Sequence, residues 1–485
     1  MSLRRAFAPL VFAPLMMVGI TVGITVFLPR PVLAWDPATT HAGLTERALA
    51  SSKLHATLAH DLGRALGSLE PLRLDMSALE PNLARSLRAR LDALDPAGGY
   101  RPNAEGIATA SAWVRAGAVL AKTPPERGRH HFFEPRTRSG LDDGPGLSGT
   151  VHAARLTLDD GASVRDSATG LAFDLQGMPA LEWLRSPQND LGLATFFDQW
   201  VMSVSATEPA KRETALARAL LALGGTLAVL EDVGQPAFVR NDFRGEFLGH
   251  DAGSAFERFV ADRYGAVSLP PAIAPVLRTD VDSYFTAADG LGLAQATQRR
   301  FFSAGNLPRD FRCIPGQAPA EVAAHVNQSL AFPQPTLPEL DLRQSGRTRY
   351  VVLDGVRVLA YQRNGDRVRF FLDTAVYEDM ARQWLPEVEG YAAGLVDHLM
   401  RAKLHIVVGQ GKAQVSIDGA LQPGVEIHLY WEDETGLRTE VSGHAPRGAS
   451  TWDFDIPSGA RKVAAYVRGQ DGAGAVVAAV EARVP

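Results

Sequence analysis

The chain has little cysteine and no excess of positive charge. Cys313 is the single cysteine among 485 residues, so an intramolecular disulfide is excluded. Lysine and arginine total 49 against 54 acidic residues, which gives a formal net charge of −5. Because bulk binding to nucleic acid needs a positive surface, this balance argues against such a function, and we expect no specific nucleic-acid binding.

The sequence also lacks an internal period and the composition of a disordered chain. The absence of a repeat argues against a solenoid or a propeller. Charged residues make up 21% of the chain and hydrophobic residues 46%, which is typical of a globular protein. A length of 485 residues predicts two or three domains, each large enough to bury its own core.

The N-terminal segment has the pattern of an export signal. Two arginines precede a nearly uncharged apolar run at 6–28, and Val32 and Ala34 have small side chains at the positions that a signal peptidase recognises. Cleavage after Ala34 would assign 1–34 to a signal peptide and make Trp35 the first residue of a periplasmic or secreted protein. The apolar run is also long enough to span a bilayer, so an uncleaved anchor is the alternative.

Helical spacing of apolar residues dominates between positions 35 and 403. The clearest segment is Lys211–Val233, where leucines recur every three or four positions and a proline follows. Gly224 and Gly225 inside this segment predict close packing against another helix. We therefore predict a mainly α domain over 35–403.

Two segments instead have the patterns of strands. Within 347–373, Asn364 and Gly365 separate two runs of alternating residues, which predicts an inserted β-hairpin. Helical spacing returns over 378–403, and period-two alternation over 414–485 predicts a β-sandwich of immunoglobulin-like type. The predicted fold class is thus mainly α with an inserted hairpin and a C-terminal all-β sandwich.

Four short segments contain the residue types of a metal site. They are AWDPATTHAGLTERAL, GRHHFFEP, LEDVGQPAFVRND and GSAFERFV, and their candidate ligands are Trp35, His41, His131, Asp232 and Glu257. Together the segments resemble the zinc-dependent phospholipase C and P1 nuclease superfamily, over residues 35–403. The resemblance implies an all-helical domain that holds three zinc ions and hydrolyses phosphate esters. Clustered zinc ions suit this reaction because they polarise a phosphate oxygen and lower the pKa of a bound water.

The resemblance also shows where this chain departs from the family. It implies that Trp35 would bind zinc through its terminal amine and carbonyl, beside the side chains of His41 and Asp232. The family ligand positions that are substituted here are Lys122, Ala228, Phe238 and Gly253. Alanine, phenylalanine and glycine offer no ligand atom, and an ammonium group repels a dication. We therefore expect at most one zinc ion to bind tightly, at Trp35, His41 and Asp232.

Two other interpretations of these residues stay open. Taken singly, His41, Asp232 and Glu257 could each be ordinary structural residues. Replacement ligands are also conceivable, because several candidates lie close in sequence to the family positions, and these are Glu231, His130, Glu134, Asp242, His250 and Asp251. A rebuilt metal site would need supporting residues around its ligands as well.

These features support three hypotheses about function. The first is an exported pseudoenzyme with an eroded metal cluster, weak or lost phosphoester hydrolysis, and a binding or scaffold role. The alternative is a functional zinc-dependent phosphodiester hydrolase with a reduced metal site, acting on a phospholipid or another phosphate ester. The third gives the activity to the C-terminal β domain, where Trp431, Trp452 and Tyr430 would contact an envelope partner.

Overall fold

The structure is a computed structural model. It describes residues 37–141, 163–165, 172–174, 177–242, 254–265, 267, 269, 274–314, 318–332, 339–345, 347–409, 411–418, 426–441 and 451–485. The predicted signal peptide, the predicted ligand Trp35, the substituted position Gly253 and the candidate replacement ligands His250 and Asp251 lie outside these residues.

The described α-helices lie between positions 42 and 399, within the 35–403 segment for which the apolar spacing predicted a mainly α domain. The α-helices are α1 (Ala42–Ser51), α2 (Leu54–Ala56), α3 (Pro81–Asp92), α4 (Ala110–Leu120), α5 (Ala180–Arg185), α6 (Leu193–Ser205), α7 (Pro209–Asp232), α8 (Pro236–Val239), α9 (Ala255–Arg263), α10 (Val281–Phe285), α11 (Leu293–Arg300), α12 (Ala318–Ser329) and α13 (Thr374–Leu399).

Helix α7 forms the centre of the helical part and packs between α4 and α6. Pro209 occupies its first turn, where the missing N–H costs nothing, and Pro236 follows soon after its end. A side chain at Gly224 would collide with the backbone of α4, and one at Gly117 would collide with the backbone of α7. The predicted close packing against another helix is thereby confirmed at Gly224, whereas a side chain at Gly225 would collide with Leu191, in the turn before α6.

The same helix is long and apolar enough to cross a membrane by length and composition. However, 89% of its most apolar window is buried inside the protein. Its apolar character is therefore used in the core of the helical part, where almost every side chain beyond the first turn is buried.

The described strands form antiparallel sheets. They are β1 (Pro71–Arg73), β2 (Ile107–Thr109), β3 (Ser163–Arg165), β4 (Ala172–Asp174), β5 (Phe311–Arg312), β6 (Glu339–Ser345), β7 (Thr348–Leu353), β8 (Val356–Asn364), β9 (Arg367–Phe371), β10 (Lys403–Gly409), β11 (Lys412–Asp418), β12 (Glu426–Glu432), β13 (Arg438–Glu440), β14 (Thr451–Asp455), β15 (Lys462–Asp471) and β16 (Gly474–Arg483). Strands β1 and β2 pair with each other, as do β3 and β4.

The predicted hairpin is part of a larger sheet. Strands β8 and β9 meet at the Asn364–Gly365 turn, where Gly365 has φ +63°, but they belong to a five-stranded sheet of order β5-β9-β8-β7-β6. The additional strands β5 and β6 come from residues outside the 347–373 segment. Helix α13 packs against β8, which buries one face of the sheet.

The C-terminal region consists of two facing sheets, of orders β10-β11-β14 and β13-β12-β15-β16. Residues of both sheets share one apolar core, which includes Val415, Ile427 and Val463. Strand β10 begins at Lys403, so the sheets start before the predicted boundary at position 414. The immunoglobulin-like type stays a prediction.

The C-terminal sheets from position 403 onward, which we call the β region, pack directly on the preceding helices, which we call the helical part. Tyr430, Ala464 and Val477 belong to the main apolar core together with the helices. At the edge of this contact, Arg438 donates to the backbone oxygen of Val204 in α6 at 2.7 Å. The two parts therefore share buried surface as well as a chain connection.

Candidate functional site

The predicted ligands that the structure describes converge at one end of α7. His41 ends a π-helical turn (Pro37–His41) before α1, and His131 ends a 3₁₀-helix (Pro125–His131). Glu231 and Asp232 are the last two residues of α7, and Lys122 follows α4. All five side chains are buried, with at most 1% of the residue surface exposed.

The carboxylate of Asp232 is the centre of this arrangement, which we call the Asp232 cluster (His41, Lys122, His131, Glu231, Asp232). Lys122 donates from Nζ to Oδ1 of Asp232 at 2.8 Å. His41 Nε2 lies 3.1 Å from the same oxygen, and His131 Nδ1 lies 2.6 Å from Oδ2. One carboxylate therefore contacts a lysine and two histidines.

A second carboxylate extends the cluster toward α1. Oε2 of Glu231 lies 2.6 Å from His41 Nδ1, so both ring nitrogens of His41 contact an acid. Thr45, one helical turn after His41, donates from Oγ1 to Oε1 of Glu231 at 2.9 Å. His41 thus lies between two carboxylates and has no ring nitrogen left for a further ligand.

Burial and neighbouring charges set the protonation states. Burial disfavours charge on His41, yet Asp232 and Glu231 outweigh it and raise the pKa of His41 above its usual value. Burial dominates at His131 and lowers its pKa to about 4. Burial also opposes charge on Asp232, but Lys122 and His41 together hold the pKa of Asp232 well below its usual range. Asp232 is therefore an anion facing two cations, and His131 is neutral.

Two of the substituted family positions lie next to these groups. The ammonium of Lys122 lies over the ring of Phe238, 4.7 Å from its centroid, and Phe238 stacks on Phe132 at 4.2 Å. Ala228 is fully buried in a small cluster with Ala118 and Ala121. The substitutions thus supply an aromatic contact for the buried cation and close packing between α4 and α7.

The fifth predicted ligand, Glu257, is buried nearby but makes no direct bond to the Asp232 cluster. It belongs to the capping box of α9, where its Oε2 accepts from the backbone N–H of Ser254. Burial raises the pKa of Glu257 to about 7, although Lys122 and Gln235 favour its ionised form. Within the described chain, neither Oε1 of Glu257 nor the amide of Gln235 has a hydrogen-bond partner with good geometry.

The described residues do not fit a zinc ion as they are arranged. No group of three His, Cys, Asp or Glu side chains within the described ranges could hold a metal ion. Asp232 already contacts Lys122, which supplies a positive charge, and both nitrogens of His41 are engaged. Because Trp35 lies outside the described residues, the expected set of Trp35, His41 and Asp232 stays a prediction.

Among the described candidate replacement ligands, only Glu231 belongs to the cluster. His130 stacks on Trp183 at 4.3 Å. Glu134 bonds to Arg136, Thr137 and Gln298 instead. Asp242 accepts from the backbone N–H of Gly305 at 2.6 Å. These side chains serve local structure and do not rebuild the lost ligand positions.

Two residues beside the candidate ligands were not predicted from the sequence, namely Thr45, which donates to Glu231, and Gln235, which favours the ionised form of Glu257. Their sequence signals are weak, since Thr45 is marked only by its position four residues after His41. Of the three aromatic residues assigned to a contact face of the β domain, Tyr430 is buried in the core shared with the helices, and the predicted envelope partner stays a prediction. Trp431 and Trp452 are half-buried and pack against the core of the sandwich.

Comparison with known proteins gives weak likeness to solved structures alone. No protein-family model matches the chain, and no curated protein matches it. Among solved structures, the chain is similar to Clostridium perfringens alpha-toxin isolated from avian strain SWCP, with 10% sequence identity and a TM-score of 0.28. The alignment covers 92% of this chain and 98% of the toxin chain. At this score the likeness does not establish a family.

Proposed function

We propose that the chain is an exported protein of the phospholipase C and P1 nuclease type in which a lysine has replaced the metal ions. Its phosphoester hydrolysis would be weak or lost, and its role would be binding or scaffolding after cleavage behind Ala34. The observation that carries the proposal is the 2.8 Å contact between Lys122 Nζ and Asp232 Oδ1, inside a fully buried cluster.

Electrostatics support this replacement. At a separation of about 4 Å and an effective dielectric constant of about 20, an ammonium and a zinc dication repel by about 8 kcal/mol. The same ammonium acts together with His41 to balance the charge of the buried Asp232, which the neutral His131 does not balance. Lys122 therefore stabilises the ligand set in a form that disfavours a metal ion.

Access to the site supports weak or lost hydrolysis. Metal-assisted hydrolysis needs a bound water and a phosphate ester to meet at the metal. His41, Lys122, His131 and Asp232 are each at most 1% exposed among the residues that the structure describes. A phosphate ester could reach these side chains only after a rearrangement of the surrounding chain.

The packing of the β region supports a scaffold role. Glu432 of β12 accepts from Arg212 of α7 at 3.0 Å and from Arg438 of β13 at 3.0 Å. Arg438 also lies 2.7 Å from Glu481 of β16. These buried ion pairs hold the sheets in a fixed orientation on the helices, so a partner in the cell envelope would meet a rigid surface.

The second candidate is a hydrolase with a reduced zinc site, acting on a phospholipid or another phosphate ester. Nε2 of His131 and Oε1 of Glu257 favour it, since both are buried and lack a partner in the described parts of the chain. Buried unpaired acceptors of this kind are costly unless something binds them. In this candidate one ion would bind these two acceptors together with residues outside the described ranges, and Asp232 would orient His131 through the 2.6 Å contact with its Nδ1.

Metal content and turnover of one purified protein distinguish the two candidates. The mature chain, with its N-terminus confirmed by mass spectrometry, would be analysed for zinc and assayed with bis(p-nitrophenyl) phosphate and phosphatidylcholine vesicles. Substoichiometric zinc and no turnover above that of an Asp232→Asn variant support the pseudoenzyme. One zinc per chain with turnover that Asp232→Asn abolishes supports the hydrolase, and three zinc ions contradict both.

A further inference from the structure

A polar cavity of about 560 Å³ lies on the helical part and shares no lining residue with the Asp232 cluster. Its walls come from β1 and the turn after it, from the second half of α3, and from the loop at 101–106. Sites for small organic molecules typically measure about 300–1,000 Å³. The cavity therefore has the size of a ligand site, and its polar lining indicates a polar ligand.

Three arginines reach this cavity from three separate segments. They are Arg73 in β1, Arg88 in α3 and Arg101 in the loop. Arg73 and Arg88 are exposed, and within the described ranges neither guanidinium makes a hydrogen bond or a salt bridge. Arg101 donates to the backbone oxygen of Leu94 at 3.2 Å. At least two guanidinium groups are thus available to an anion, which they bind with paired N–H donors.

Acidic groups also line the cavity and limit the charge of a ligand. Oδ1 of Asp75 accepts from the backbone N–H of Ser77 at 2.9 Å and from its hydroxyl at 2.7 Å, and these bonds lower the pKa of Asp75. Asp92 lies 4.0 Å from Arg101, and Glu105 is exposed. Three acids against three arginines disfavour a polyanion, while carboxylates accept readily from hydroxyl groups.

The wall of the cavity is held in place by backbone hydrogen bonds. Leu74 donates its N–H to Gly106 at 2.9 Å, and Asn103 Oδ1 accepts from the backbone of Glu105 and Ile107. Gly106 has φ +75° and lies close to the backbone of Leu74, a position that a side chain would strain. The loop is therefore formed before any ligand arrives, which lowers the entropic cost of binding.

We propose that this cavity binds a small hydroxylated molecule with one anionic group. A sugar phosphate and a sugar acid both have this chemistry. The anionic group would contact Arg73 and Arg88, and the hydroxyl groups would donate to the acidic side of the cavity. The site is independent of the proposed function, because it uses none of the residues of the Asp232 cluster.

Isothermal titration calorimetry on the full mature chain tests the proposal with three probes, namely glucose 6-phosphate, gluconate and glucose. We expect one of the two anionic probes to bind and the neutral sugar not to bind. Arg73→Gln and Arg88→Gln should each weaken binding about tenfold or more, since each removes charged hydrogen bonds. Arg85→Gln is the matched control, because Arg85 is exposed on the same helix and does not line the cavity.

The two anionic probes distinguish the phosphate source from the carboxylate source. Because the guanidinium groups of Arg73 and Arg88 make no hydrogen bond or salt bridge within the described chain, and the backbone bond of Arg73 to Glu213 does not depend on its side chain, their substitution should leave the melting temperature unchanged, which checks that the variants fold. The proposal is overturned if neither anionic probe binds at about 10 mM, if glucose binds equally well, or if Arg73→Gln and Arg88→Gln behave like Arg85→Gln.

Discussion

Two buried ion networks in this protein differ in how completely their polar atoms are paired. In the Asp232 cluster, Nε2 of His131 has no partner among the described residues. In the network between the helices and the sheets, every buried side-chain nitrogen and oxygen atom of Arg212, Glu432 and Arg438 is hydrogen-bonded. The Asp232 cluster joins segments of the helical part to one another. The network of Arg212, Glu432 and Arg438 joins helices α6 and α7 to the β region.

This difference indicates different origins for the two networks. In a network that only stabilises the fold, we expect the buried donors and acceptors to be hydrogen-bonded, because an unpaired buried group costs about 1–3 kcal/mol. The Asp232 cluster retains one acceptor without a partner among the described residues, Nε2 of His131, which is a type of atom that binds metal ions, and Lys122 supplies the positive charge. The contrast agrees with the proposed replacement of metal ions by Lys122, while the network between the helices and the sheets holds these two parts of the chain together.

The largest expected change in stability follows from removing the buried cation, Lys122. Lys122→Met should lower the free energy of unfolding by about 3–5 kcal/mol, because it leaves Asp232 without its closest cation in a buried site. Urea denaturation of the mature protein measures this change. Lys211→Met is the control, since Lys211 is 51% exposed in a surface pair with Glu208 and should change stability by less than about 1 kcal/mol. Equal effects of the two variants would contradict the assignment.

The second largest effect is expected in the network between the helices and the sheets, which contains Arg212, Glu432 and Arg438. Arg438→Met should cost about 3 kcal/mol, at the lower end for a buried pair, because Arg212 and Lys462 still face Glu432. Arg468→Met is the matched control. Arg468 also joins the β region to α6, through Asp198, but it is 50% exposed. We expect limited proteolysis to separate the β region in Arg438→Met and not in Arg468→Met. Intact packing in both variants would show that apolar contacts alone hold the regions together.

Acid should weaken the molecule at His398 near the sheets. Burial and Arg401 lower the pKa of His398 to about 4, while Asp471 and Asp280 oppose this shift and Tyr284 packs against the ring. Because the unfolded chain takes up this proton near pH 6.5, stability is fully present above that value and falls as the pH decreases toward 4. Between pH 7 and 5 the loss should be about 1–2 kcal/mol.

The variant that isolates this effect is His398→Gln. It should remove this loss of stability and therefore flatten the pH dependence of the melting temperature. His405→Gln is its control, because His405 is 53% exposed on β10 and pairs with the exposed Asp418 at 2.8 Å. An unchanged slope in His398→Gln would exclude His398 as the source of the acid sensitivity.

The smallest expected effect is that of metal removal. If Lys122 supplies the charge that zinc would supply, then EDTA should leave the melting temperature of the purified protein unchanged within error. The same chelator should also leave the Lys122→Met variant at its lower melting temperature. A drop of several degrees in the unmodified protein would show that a metal ion contributes to the fold and would favour the hydrolase candidate.

Parts of this arrangement could be predicted from the sequence. The order of the ligand-like segments predicted that His41, His131 and Asp232 lie close together, and they do, although up to 191 positions separate them. The partner of Lys122 could not be predicted, because a buried lysine and an exposed one look alike in a helical pattern. Likewise, the Asn364–Gly365 turn marked β8 and β9, while the distant strands β5 and β6 had no local signal that placed them in the same sheet.

The sequence by itself determined most of the helical and strand segments, the close approach of α7 to another helix at Gly224, and the positions without a ligand atom. These features depend on local chemistry, namely the period of apolar residues and the atoms that each side chain has. Only the tertiary structure decided that Lys122 faces Asp232, that Glu257 stays apart, and that Arg438 reaches Val204. Charge compensation in a buried site depends on distances between segments that are far apart in the chain, and a local pattern does not contain those distances.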